Sequence, residues 1–170
     1  MAQILLIYDS RGGLTEQLAD SIEAGITSAG GLCLRKRVDD ATVQDLLDVD
    51  GYVVGSPNWS GMTGKLKEWW DFSGDLWESG NLAGRPGAAF TAGYSRSGGN
   101  EATLLQLFHV LIAHGLVFVG LPWTERMRVS GSYYGATAHG VVTDDDREQA
   151  SALGRRVAEI ADRLRSPEGG

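Results

Sequence analysis

The chain has 170 residues, 42% of them hydrophobic, and a net charge of −7, with a pI of about 4.9. That length is the length of one domain with a real core, and the composition is that of an ordinary globular protein. The acidic balance excludes a general nucleic-acid or anionic-membrane binder, because both need a positive field.

The elements alternate along the chain. Gln3 to Tyr8 is a short, nearly unbroken apolar run, the mark of a strand buried on both faces. From Thr15 the period changes to that of a helix, with Leu18, Ile22 and Ile26 on one face, until Gly30-Gly31 stops it. Leu32 to Arg37 reads as a second strand whose apolar/basic alternation fits an edge. Thr42 to Asp48 is a short helix candidate, Gly51 to Gly55 a third strand, and Gly64 to Phe72 a helix. Gly87 to Ala92 is a fourth strand, Glu101 to His114 a helix, and Leu116 to Leu121 a fifth strand bounded by Pro122. Residues 123 to 143 read as irregular. The last helix spans Asp144 to Arg165, opened by three aspartates that suit its positive dipole end and buried along Ala150, Leu153, Val157, Ile160 and Leu164.

Five strands alternating with helices predict an α/β, doubly wound parallel sheet with helices on both faces. The expectation is a single domain over residues 1–165 and a disordered tail at 166–170. Cys33, the one cysteine, fits a small buried hydrophobe better than a reactive thiol. Arg35-Lys36-Arg37 reads as a solvated strand end. No C-x-x-C or H-E-x-x-H pattern occurs, so no metal site is expected. With no signal-peptide pattern and no apolar run of membrane length, the expectation is a soluble cytoplasmic protein.

In doubly wound folds ligands bind beyond the carboxyl ends of the strands, where strand order reverses. Three loops lie there. The first, YDSRGGLT (residues 8–15), joins a buried strand to a helix N-terminus, a natural phosphate site, with Gly12 and Gly13 allowing close approach and hydroxyls on Ser10 and Thr15. It has no lysine after the glycines, which rules out a Walker A loop and favours a monophosphate. A plain turn with a Ser or Thr cap is the competing reading. The second loop, SPNWSGMTG (56–64), carries Trp59 in a polar setting, as a cover for a planar ligand or as a lid on the loop itself. The third, TAGYSRSGGNE (91–101), carries Tyr94 and runs from Gly98-Gly99 into a helix. Together they read as one site, one loop for a phosphate and two for a flat ring.

The segment GSPNWSGMTGKLKEWWDFSGDLWESGNLAGRPGAAFTAG resembles the flavodoxin-like FMN proteins of the WrbA type, the NAD(P)H:quinone oxidoreductases. The likeness lies in the G-[ST]-P loop, the M-[ST]-G that follows, an Asp closing the helix, and the G-x-L-W-x-S-G-x-L stretch. SYYGA (132–136) and IAHG (112–115) resemble the family's P-Y-G-A and A-H-[HG] stretches. Three departures stand out. Only DDATVQDLLDVD separates strands two and three, where the family carries a helical insertion that helps build its tetramer. The second loop is one residue shorter and the third one longer. Trp59 and Tyr94 resemble the pair that sandwiches the flavin in true flavodoxins, which are electron carriers.

The resemblance implies the sheet order 2-1-3-4-5 and FMN as cofactor. It places Ser10, Arg11, Gly12, Gly13, Leu14 and Thr15 around the phosphate. Pro57, Asn58, Trp59, Ser60 and Gly61 would bound the ring, with Thr91, Ala92, Gly93, Tyr94, Gly98 and Gly99 on its far edge. It implies NAD(P)H and quinone as substrates and a homodimer or higher homo-oligomer. His114 would assist the acceptor as a catalytic group, against the competing reading of a histidine answering the helix dipole; Tyr134 would border the pocket, or be an ordinary loop aromatic. The alternative function is a one-electron carrier of flavodoxin type. A third is a non-catalytic relative acting through protein contacts, raised by Trp69, Trp70 and Trp77: adjacent helix residues do not share a face, so one of Trp69 and Trp70 is expected exposed, at an interface. His109 reads as structural, and His139 approaches the cofactor without an assigned role.

Overall fold

A computed structural model describes residues 1–165; the tail expected at 166–170 lies outside the described residues. In chain order the elements are β1 (Gln3–Tyr8), α1 (Leu14–Ser28), β2 (Leu32–Arg37), β3 (Gly51–Pro57), α2 (Gly64–Asp71), α3 (Gly74–Ser79), β4 (Pro86–Gly93), α4 (Asn100–Ala113), β5 (Val117–Phe118), β6 (Gly135–His139) and α5 (Asp144–Leu164). All the strand pairings are parallel, in the order β2-β1-β3-β4-β5. No described helix is long and apolar enough to cross a membrane.

The fifth lane of the sheet departs from the expected single strand. β5 pairs only with Pro86 and Gly87 at the start of β4, and β6 pairs with Ala89 to Gly93 beyond it. The apolar run Leu116 to Leu121 therefore yields two paired residues, and Pro122, which has no N–H to give a ladder, lies where the chain has left the sheet. The chain returns as β6, whose small residues GATAH carry no apolar alternation. Tyr134 sits just before this strand.

Successive β1 side chains enter opposite cores, as the two-residue period requires. Ile4, Leu6 and Tyr8 pack with Leu18, Ile22, Ile26, Leu153 and Val157 of α1 and α5. Leu5 and Ile7 pack with Leu66, Trp69, Trp70, Leu104 and Leu111 of α2 and α4. The α1–α5 crossing is close enough that a Cβ on Gly25 would clash with the Ser151 backbone, and one on Gly154 with the Ile22 backbone. Along α5 the buried stripe drifts from the expected line: Ile160 is half-buried and Leu164 exposed, while Ala158 and Ala161 are buried. Its start is a capping box, with Thr143 Oγ1 accepting from Asp146 N at 3.2 Å and Asp146 Oδ2 accepting from Thr143 N at 2.8 Å.

Three further expectations are corrected, two of side chains and one of backbone. Trp69 and Trp70 are both buried, because Trp69 turns to donate from Nε1 to the Ala41 carbonyl at 3.0 Å while Trp70 packs 5.0 Å from the His114 ring. The basic run on β2 is not simply solvated: Arg35 pairs with Asp20 and Glu23 and lies over Tyr8, Lys36 pairs with Asp45 on the other face, and Arg37 reaches the Ser10 carbonyl. The Thr42–Asp48 segment forms a short 3-10 turn, Val43–Leu46, rather than an α-helix. Cys33 is half-buried, and burial, with Glu23 nearby, pushes its thiol up to about 12.

Candidate functional site

The carboxyl ends of β1, β3 and β4 lie side by side, so the three loops that follow them meet at one sheet edge. The first loop is tied down at its root. Asp9 N donates to the Gly55 carbonyl at 3.0 Å, Ser10 N donates to Asp9 Oδ1 at 2.9 Å, and Arg37 Nη2 donates to the Ser10 carbonyl at 2.7 Å. α1 then starts at Gly13, φ +81°, with no side-chain cap. α2 and α5 by contrast are capped by Thr63 and Thr143. The leading N–H groups of α1 are thus left for a ligand, and the dipole there favours an anion. Ser10 and Thr15 are buried, and among the described residues neither hydroxyl has a side-chain partner. Gly12 lies so close under Tyr94 that a Cβ would clash with the tyrosine hydroxyl.

The second loop carries backbone strain. Ser60 has φ +59° and Gly61 φ +115°. Gln106 of α4 braces it, accepting from Met62 N at 2.8 Å and filling the space a Cβ on Gly61 would need. Trp59 is 57% exposed, with the Arg11 guanidinium 5.5 Å from its ring centroid. The third loop is joined to the second by Asn58, which donates from Nδ2 to the Gly98 carbonyl at 2.6 Å. Like α1, α4 begins on a glycine, Gly99 at φ +88°, with no side-chain cap.

Between the loops is a narrow, nearly closed cleft of about 20 Å³ lined by Gly12, Leu14, Thr15, Pro57, Asn58, Trp59, Ala92, Gly93 and Tyr94. Ser10, Arg11 and Gly13 stand in the loop below it, and Ser60, Gly61, Gly98 and Gly99 in the loops that flank it. Thr91 is elsewhere: it is fully buried, and its hydroxyl donates to the Ser56 carbonyl at 2.7 Å, bracing β4 against β3. An uncapped helix end, a glycine floor and two aromatic walls fit the phosphate and flat ring of FMN.

His114 and Tyr134 are not brought to this cleft within the chain. α4 runs from the loop edge back across the sheet, so His114 at its end lies at the opposite edge. There its Nδ1 is 3.0 Å from the Val110 carbonyl and its Nε2 2.8 Å from Ser73 Oγ. It lines a cavity of about 290 Å³ with Trp70, Trp77 and His109. Tyr134 is half-buried in the core on the α2–α4 side, just before Gly135, which pairs with Ala89 in mid-strand. Sequence reasoning missed Asp9, buried at 2% exposure with Oδ2 unpartnered, and Arg37, whose strand position gave no hint of reach to the loop. It also left His139 without a role; the histidine pairs in register with Gly93, at the cleft's edge.

The sheet order, the paired cores and the three-loop cleft define a flavodoxin-like FMN protein. The model of the family described as NADPH-dependent FMN reductase matches residues 38–125. A protein of Archaeoglobus fulgidus named NAD(P)H dehydrogenase (quinone) is 36% identical over 96% of this chain and 100% of its own length. One of Gluconacetobacter diazotrophicus with the same name is 33% identical over 96% and 99%. The solved flavodoxin, WrbA-like protein from Agrobacterium tumefaciens superposes with a TM-score of 0.77 at 22% identity, over 97% of this chain and 100% of that one. The chain belongs to the NADPH-dependent FMN reductase family and is an FMN-dependent oxidoreductase of flavodoxin-like fold.

Proposed function

We propose that the protein is an NAD(P)H:quinone oxidoreductase. When bound, FMN would supply the redox chemistry: hydride uptake from NAD(P)H at its N5 and, in a separate ping-pong half-reaction, two-electron reduction of a quinone. The chain's own work is to hold and shape. The free N–H groups at the start of α1, with the Ser10 and Thr15 hydroxyls, hold the phosphate, and Arg11 and Arg37 offset its charge. Trp59 and Tyr94 bound the ring, and the braced loops around Asn58, Ser60 and Gly61 present backbone groups to its polar edge.

The carrying observation is the start of α1, which no side chain caps, behind a glycine, Gly12, that lies directly under the Tyr94 hydroxyl. The names of the relatives that match nearly the whole chain support the same reading. His114, at the opposite edge of its own chain, meets an acceptor only from a second copy, so a catalytic part for it belongs to a homo-oligomer. The exposed rings of Trp77 and Phe72, on the same side of the molecule, support such an assembly. Tyr134 braces the core wall and takes no part in the chemistry of its own cleft.

The competing reading, one-electron carriage, is favoured by the presence of both Trp59 and Tyr94 at the cleft; with both faces of the ring covered, nicotinamide has no place to stack. An anaerobic experiment decides. FMN-loaded protein is mixed with NADH or NADPH, flavin absorbance is followed, and benzoquinone is then added. Bleaching by nucleotide and recovery with quinone is the expected result. Flavin that stays oxidised with both nucleotides, yet accepts single electrons from a chemical donor, replaces the reductase with the carrier.

A further inference from the structure

A polar cavity of about 380 Å³ lies on the far side of the third loop from the flavin cleft, within the size range of small-molecule sites. Two arginines reach it from different segments. Arg96 of the third loop has no acidic partner among the described residues. Arg128, in the segment between β5 and β6, pairs only with the exposed Glu125 and lies over Trp123. The uncapped start of α4 opens into the same space. These groups suit phosphate oxygens, which guanidinium forks bind in a directed way.

The rest of the lining suits something other than a bare anion. Ser130 and Ser132 are nearly buried and donate to Asp146 at 2.6 Å and Glu101 at 2.7 Å. The two serine oxygens and the Glu101 carboxylate offer acceptors in the same lining as the arginines, while both oxygens of Asp146 are already taken by Ser130 and Thr143 N. Inorganic phosphate gains nothing from carboxylates. A phosphorylated ribose needs both, cations for its phosphates and acceptors for its hydroxyls.

The cavity and the flavin cleft lie on either side of the third loop and are linked by contacts between their linings. Asn58 of the cleft donates to Asn100 Oδ1 of the cavity at 3.4 Å. Gly93 of the cleft and His139 of the cavity are register partners on adjacent strands, about 5 Å apart. The two sites are thus close enough for one long ligand, with a planar head at the cleft and a phosphorylated tail crossing the third loop, to reach both.

Resting on the reductase reading, we propose that this cavity takes the adenosine-phosphate half of NAD(P)H, with Arg96 and Arg128 gripping its phosphates. The test uses FMN-loaded wild type and the Arg96→Ala/Arg128→Ala double variant, with flavin absorbance confirming that both retain cofactor. Calorimetry measures binding of adenosine 2′,5′-bisphosphate and of ADP-ribose, and steady-state rates are taken with NADPH, NADH and N-benzyl-1,4-dihydronicotinamide, which has no adenosine. The expected result is fragment binding by wild type, weakened about tenfold for each arginine removed. The KM for the dinucleotide rises in step, and that for the benzyl compound does not follow. A loss confined to NADPH and the bisphosphate assigns the grip to the 2′-phosphate; a loss shared with NADH and ADP-ribose assigns it to the pyrophosphate. Wild type that binds neither fragment, or equal KM changes with and without the adenosine half, overturns the proposal. Should no dihydronicotinamide reduce the flavin, the reductase reading falls, and calorimetry still decides whether the cavity is a nucleotide site.

Discussion

Asn58 Nδ2 donates to the Gly98 carbonyl at 2.6 Å, a bond that joins loops forty residues apart in the chain. The same side chain accepts from Gly61 N through Oδ1 at 3.2 Å, so one residue holds both the strained second loop and the turn that opens α4. The bond orders loops rather than filling the core. Asn58→Ala is therefore expected to leave the thermal midpoint of the FMN-free protein nearly unchanged and to weaken FMN binding about tenfold, the loss of about 1.4 kcal/mol of preorganisation. Quenching of FMN fluorescence on titration with FMN-free protein measures it; an unchanged Kd removes Asn58 from the site.

The phosphate cradle makes a sharper prediction because its ligand group is removable. Ser10 and Thr15 offer hydroxyls beside the uncapped N–H groups of α1. The Ser10→Ala/Thr15→Ala double variant loses two hydrogen bonds to a charged acceptor, roughly 3 kcal/mol in total and so about a hundredfold in Kd for FMN. Riboflavin, which has the ring and no phosphate, is expected to bind wild type and variant alike. Equal losses for both flavins would move the two hydroxyls from the phosphate to the fold.

How far the sequence revealed this site follows from what kind of signal each part carries. Gly12, Gly13 and the hydroxyls of the first loop announce themselves because a phosphate turn needs those residue types in consecutive positions. Strands β1, β3 and β4 are legible because burial on both faces leaves unbroken apolar runs. β6 carries no such signal: GATAH has no apolar alternation, and it opens on Gly135, which lies against the Ala89 backbone where a Cβ would clash. Arg37 and Gln106 brace the loops from distant elements, and nothing local marks a side chain whose partner is chosen by the fold. His114 shows the opposite case. Its motif is local and specific, but helix direction carries it to the far edge of the sheet, a fact that spacing alone does not display.

Alkaline pH should reveal the half-buried thiol. Burial, and secondarily Glu23, raises Cys33 from 9.0 to about 12. A raised pKa means that the folded state keeps a proton the unfolded chain gives up. The contribution is whole below pH 9 and is lost as pH rises from there toward 12. Tyr8 and Tyr52, raised chiefly by burial, act in the same direction at still higher pH. Urea midpoints are expected to change little between pH 7 and 9 and to fall between pH 9 and 10.5 for wild type, less steeply for Cys33→Ala. The thiol should also resist iodoacetamide at pH 8 until urea unfolds the chain. Rapid alkylation of the native protein would contradict the burial.

The last prediction concerns the frame that carries the first loop. α1 and α5 approach so closely that Gly25 and Gly154 lie against each other's helix backbones, at Ser151 and Ile22. A methyl group at either site meets backbone rather than a movable side chain, so the helices must separate. Intrinsic helix propensity alone predicts that glycine to alanine stabilises by up to about 1 kcal/mol. Here the overpacking cost, typically about 1–3 kcal/mol, has the opposite sign and is the larger effect. Gly25→Ala and Gly154→Ala are each expected to lower the urea midpoint. The double variant should cost less than the sum, because one separation of the helices relieves both clashes. Since α1 begins at the phosphate loop, the same variants are expected to weaken FMN binding more than riboflavin binding. A stabilised Gly25→Ala protein would mean that the crossing has room, and that propensity rather than packing governs that helix.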